Sequence, residues 1–156
     1  MMKKFLLGGL FALTLACGAA VGQQGEKTGS RREPDPSVLR DPLLEADSKK
    51  NLKVAQHYFK LKKAYRASFM RAEEIIAGNP NFSRIDEAYY IAGMSHLRLS
   101  RGQGNQPPSL KPEQHRDEAR VLLSRLVNEW PDSGFRKEAE KELAGIGGLI
   151  KTTANQ

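Results

Sequence analysis

Glu87-Ala88-Tyr89-Tyr90-Ile91-Ala92-Gly93-Met94-Ser95-His96 and, further on, Ala119-Arg120-Val121-Leu122-Leu123-Ser124-Arg125-Leu126-Val127-Asn128-Glu129-Trp130-Pro131 decide the fold of this chain. In each stretch apolar residues recur at three- and four-residue steps, the spacing of one helix face. Gly93 lies on the first face and has no Cβ to hold a neighbouring helix off. Ala119 brings an equally small side chain to the crossing. Pro131 ends the second helix, because proline has no amide hydrogen and its ring clashes with the preceding turn. The two stretches predict a closely packed helix pair.

The same period extends outward to five helices with no strand between them. The first covers about Leu44 to Lys60, with Leu52, Ala55, Tyr58 and Phe59 on one face; the second runs from Lys63 to Gly78 and is closed by Pro80. Ser83 offers an N-cap for a third helix to Arg101, whose inward face is Ile85, Ala88, Tyr89, Ala92, His96 and Leu99. Tyr90 and Met94 stand off that stripe. A fourth helix opens at Pro112 and reaches Glu129, and a fifth begins near Phe135 and carries Ala139, Leu143 and Ile146. The run Tyr89, Ala92, Gly93, His96, then Ala119, Leu123, Leu126 and Pro131, resembles a tetratricopeptide repeat. Ser68, Ala72, Ile75 and Pro80 form a looser copy. The expected fold is all-α: two tetratricopeptide-like antiparallel helix pairs plus a C-terminal helix.

The second pair departs from a standard repeat through an inserted connector, Gly102-Gln103-Gly104-Asn105-Gln106-Pro107-Pro108-Ser109-Leu110-Lys111, which reads as flexible. With that insertion, Val54-Ala55-Gln56-His57-Tyr58, Ala64-Tyr65-Arg66-Ala67, Arg71-Ala72-Glu73-Glu74-Ile75-Ile76 and Trp130-Pro131-Asp132-Ser133 look like the BamD family of outer-membrane β-barrel assembly lipoproteins. The resemblance covers about residues 44 to 143. It implies a protein-binding scaffold that acts with envelope proteins of the β-barrel assembly machinery, without a cofactor. The chain has room for fewer repeats than such proteins carry, so one of the family's two end contacts is in question.

The N-terminus agrees with export. Lys3 and Lys4 precede an apolar run from Phe5 that ends in small residues, the layout of a secretory signal, and the run falls short of the roughly 20 apolar residues of a membrane span. Leu13-Thr14-Leu15-Ala16-Cys17 resembles a lipobox, although Thr14 stands where leucine is commonest. Residues 1–16 are therefore expected to leave as a lipoprotein signal peptide, with lipid carried by Cys17, the only cysteine. Cleavage after Ala20 or Gly22 is the alternative, and it would discard Cys17. Residues 17–41, rich in glycine, proline and glutamine, read as a tether, and 42–156 as the helical domain. Gly18 and Ala19 after Cys17 supply no aspartate retention signal, so the expected place is the periplasmic face of the outer membrane.

The formal charge is +7, and two of the cations leave with the signal. Export removes nucleic acid as a partner and leaves anionic lipid, acidic cell-wall polymer and acidic protein. Residues 49 to 72 hold eight cations and no Asp or Glu, and Lys60, Lys62, Lys63 and Arg66 form the basic patch at their centre. This patch supports an alternative role, an envelope adaptor that binds cell-wall polymer or anionic lipid. No catalytic constellation is legible. His57, His96 and His115 are too dispersed for metal-ligand spacing, and His96 reads as a core position of the repeat. Tyr90 and Met94, being off the core stripe, are the expected protein-binding residues on a concave surface built by the first helix of each pair.

Overall fold

Asp41 caps the first of the described helices. Its carboxylate accepts the amide hydrogens of Leu43 at 2.7 Å and Leu44 at 3.4 Å, two donors that the first turn leaves without partners, and Pro42 suits the first helical position. In the computed structural model, which describes residues 40–151, α1 (Pro42–His57) is followed by α2 (Tyr65–Gly78), α3 (Ile85–Ser100), α4 (Pro112–Glu129) and α5 (Arg136–Ala144). No strand occurs among the described residues. Each helix packs on the next in chain order, giving the tetratricopeptide-like all-α stack that the periodicity predicts. The expected signal peptide 1–16, Cys17 and nearly all of the expected 17–41 tether lie outside the described residues.

α3 is the centre of the stack. Every residue from Glu87 to Leu97 is buried, as is Leu99, because α2 packs on one side of this helix and α4 on another. The glycine does what its position requires: a Cβ at Gly93 would lie 2.7 Å from Cγ and 2.8 Å from Cδ2 of Leu123. Ala119 and Leu123 have no exposed surface, and Trp130 packs its ring 5.1 Å from Tyr89 as α4 ends. The core runs from Leu52 to Leu143 without a break.

The first pair is joined with more polar chemistry. Ser68 Oγ donates to the Ala55 carbonyl at 3.0 Å, and the buried Asn79 donates to Ser48 Oγ at 3.0 Å. The buried Glu87 of α3 accepts from Gln56 of α1 and from Arg84. These bonds satisfy polar groups that would be costly to bury alone.

Three local expectations are corrected. Ser83 is not an N-cap: its amide and hydroxyl both donate to the Glu45 carboxylate, and α3 starts at Ile85 without a side-chain cap. α1 does not continue as a regular α-helix to Lys60, because its last turn widens into a π-helical turn over Tyr58–Lys62. α5 stops before Ile146. Gly147 and Gly148 take positive φ, and the Gly148 amide returns to the Leu143 carbonyl at 2.8 Å, which turns the chain back over α4. There Arg120 holds the Gly148 carbonyl at 2.8 Å, and the Ile150 amide donates to Ser124 Oγ at 2.9 Å.

Candidate functional site

The basic patch occupies the turn between α1 and α2. Within the wide turn Tyr58–Lys62, Phe59 leans inward, 5.6 Å edge-on from Tyr65, while Lys60, Leu61, Lys62 and Lys63 are exposed. Lys63 closes the turn in the left-handed region, φ 51°, and lets the Ala64 amide reach the Tyr58 carbonyl at 3.0 Å. A non-glycine residue adopts this conformation at a cost. The connector between α3 and α4 supplies contacts that hold it there. Asn105 Nδ2 donates to the Lys62 carbonyl at 2.9 Å and the Asn105 amide to the Lys63 carbonyl at 3.2 Å. Gln106 Oε1 accepts the Ala67 amide at 3.0 Å, capping a free donor in the first turn of α2. Gly104, at φ +105°, lies so close to Tyr65 that a Cβ would come within 2.7 Å of the ring. The connector, expected to be merely flexible, is a brace behind the basic turn.

The far end of the same connector is fastened to a buried histidine pair. Nδ1 of His96 lies 2.8 Å from Nδ1 of His115, so the expectation that these histidines are dispersed is corrected; distance along the chain does not bound distance across a helix crossing. Of the two rings, His96 is 2% exposed and stacks 4.2 Å from Phe69; His115 has no exposed surface. Hydrogen bonding fixes both tautomers. The Leu110 amide donates to Nε2 of His115 at 3.2 Å, so that nitrogen carries no proton. His115 then bears hydrogen on Nδ1 and donates it to Nδ1 of His96. His96 is left with hydrogen on Nε2, directed at Glu73 Oε1 3.2 Å away. A proton added to either ring would set two donors facing each other. Burial, and then the neighbouring His96, push the His115 imidazole below its ordinary range. Among the described residues no cluster of three or more His, Cys, Asp or Glu could hold a metal ion.

Tyr90 and Met94 are not exposed, which corrects the expectation that made them binding residues. Tyr90 is 9% exposed and stacks on Phe135 with 4.6 Å between ring centres, and Met94 is fully buried. Burial, together with a hydrogen bond to the Glu138 carboxylate, holds the Tyr90 hydroxyl protonated well above the usual tyrosine range. Further along the same face, Arg101 pairs with Glu142 at 2.7 Å. Tyr90, Met94 and Arg101 lie on one stripe of α3, and contacts from α5 and the residue before it meet that stripe at both ends. Side chains of the chain's own last helix, Glu138 and Glu142, and of Phe135 before it therefore reach the side of α3 expected to meet a partner.

The protein-family model described as YfiO, outer membrane lipoprotein, matches residues 42–150, from the first residue of α1 to beyond the end of α5. The chain belongs to this family. Membership supports an envelope protein of the outer membrane, in agreement with the BamD-like resemblance of the helical segments. Neither a curated protein nor a solved structure matches the chain. The YfiO match thus spans all five described helices, the braced basic turn and the histidine pair.

Proposed function

We propose that this YfiO-family protein is a lipid-anchored, periplasm-facing helical scaffold that binds protein during assembly of outer-membrane β-barrels, and that it is not an enzyme. The observation that carries this reading is the family match over 42–150, which leaves no described helix outside it. Stacked helix pairs suit the role because they present extended surfaces without needing a catalytic pocket. Cys17 is the proposed lipid site. With α3 buried along most of its length, the first helix of a pair that keeps an exposed face is α1. There Asp47, Lys50, Asn51 and Val54, together with Arg71 of α2, line a cleft of about 400 Å³. We take this cleft as the protein contact in place of Tyr90 and Met94.

A photo-crosslinking amino acid at Val54, introduced in intact cells, tests the proposal. The expected result is a covalent adduct with a protein of the β-barrel assembly machinery. Normal β-barrel assembly after depletion of the protein, with no adduct at Val54 or Asn51, would sink it. Cys17→Ser tests the anchor: the protein should leave the membrane fraction or remain an unprocessed precursor.

A further inference from the structure

Leu61 is 73% exposed, although it is a large aliphatic residue in a turn whose backbone is hydrogen-bonded from behind by Asn105. The wide turn puts it there. By adding a residue to the last turn of α1, the chain buries part of Phe59 against the core and turns Leu61 outward between Lys60 and Lys62, with Lys63 and Arg66 beside them. Among the described residues none of these four cations forms an ion pair. The backbone behind them is held by Asn105, and Gln106 holds the start of α2. The arrangement is an exposed apolar side chain flanked by uncompensated positive charges, on a backbone held in place before anything binds.

We infer that this turn is a membrane-contact element: Leu61 enters the interface of an anionic phospholipid bilayer while Lys60, Lys62, Lys63 and Arg66 engage lipid phosphates. Charge complementarity selects an anionic partner. Leu61 selects a bilayer over a polysaccharide, since a hydrated polymer gives an aliphatic side chain nothing to enter. Lysine stems are long enough to lie along the apolar layer while their ammonium groups stay with the phosphates. The inference rests on the outer-membrane placement of the family, not on a role in β-barrel assembly. A contact near the basic turn would orient the scaffold on the membrane, which a tether at the N-terminus cannot do by itself.

The test is vesicle flotation with residues 18–156, which lack the signal and Cys17 but contain the whole core from Leu52 to Leu143. Vesicles of phosphatidylcholine containing phosphatidylglycerol should carry the protein up, and vesicles of phosphatidylcholine alone should not. Changing Lys60, Lys62 and Lys63 together to Gln should lower partitioning on the order of a hundredfold, at roughly fivefold for each lysine near the surface. Leu61→Ser should lower it about tenfold through lost apolar burial. Lys137→Gln on α5 should change nothing, and unaltered melting of every variant shows that the fold is kept. Equal binding to neutral vesicles, or no binding to either, overturns the inference. Binding that responds to the lysines but not to Leu61 overturns it in favour of a soluble polyanion or an acidic protein.

Discussion

In the second helix pair, α3 and α4 meet where Gly93 admits the fully buried Leu123, whereas α1 and α2 are joined by Ser68 and closed by a wide turn that faces solvent. The pairs share a repeat but divide its duties. One concentrates apolar packing, which is stiff and intolerant of volume change. The other keeps polar joints and an exposed basic tip, and it depends for its shape on a connector borrowed from the second pair. Stability should therefore be governed from α3, and surface properties from the α1–α2 turn.

The sharpest way to break this contrast is to truncate α3. Met94→Ala should cost about 2–5 kcal/mol in urea unfolding, because it empties a fully buried site. Gly93→Leu should cost about 1–3 kcal/mol or more, since even its Cβ has no room beside Leu123. If either variant melts like the wild type, α3 is not the centre of the stack.

Acid should weaken the α3–α4 contact next. The groups facing His115 are His96 of α3 and, through it, Glu73 of α2. Since the folded-state pKa of His115 is lowered, the unfolded chain takes up the proton first. The associated stability is complete above the unfolded value near 6.5 and is lost as pH falls below it, by at most about 1.4 kcal/mol per pH unit for one proton. Melting followed from pH 7.5 to pH 5 should show a fall that His115→Gln reduces, and a wild-type curve flat over this range would refute the proton pattern.

Smaller effects sharpen the account of the brace. Asn105→Ala should cost about 0.5–1.5 kcal/mol and speed hydrogen exchange in the α1–α2 turn. A residue inserted between Asn105 and Gln106 should do more damage than one inserted between Pro108 and Ser109, where none of the bonds to that turn is made. Equal tolerance at both places would return the connector to a plain linker. Smallest of all, Lys63→Gly should stabilise by up to about 1 kcal/mol, because glycine relieves the left-handed conformation while losing more chain entropy. A clear loss of stability would mean that the Lys63 side chain contributes packing as well as charge.

Residues 87–97 show how far the sequence could be read. The apolar stripe through Tyr89, Ala92 and His96 locates the face of α3 toward its neighbours, and it also left Tyr90 and Met94 for a partner. Yet the segment Ala88-Tyr89-Tyr90-Ile91-Ala92-Gly93-Met94 is apolar on every face, which is itself the mark of a helix surrounded by others. That signal was available and points to burial. No comparable signal existed for the histidine pair, because His96 and His115 belong to separate helices and only their crossing brings the rings together. Leu61 was legible as one apolar residue among lysines, but its exposure follows from the wide turn.

Helix number, the small face at Gly93, the stop at Pro131 and the cationic block were determined by the sequence alone, since each depends on residues within a few turns of one another. Tertiary structure decided which surfaces remain free. It stacked Phe135 on Tyr90, joined His96 to His115, and set Asn105 behind the basic turn. These are encounters between segments far apart in the chain. Periodicity says which face of a helix is apolar, but only the packing of the whole stack determines what covers it.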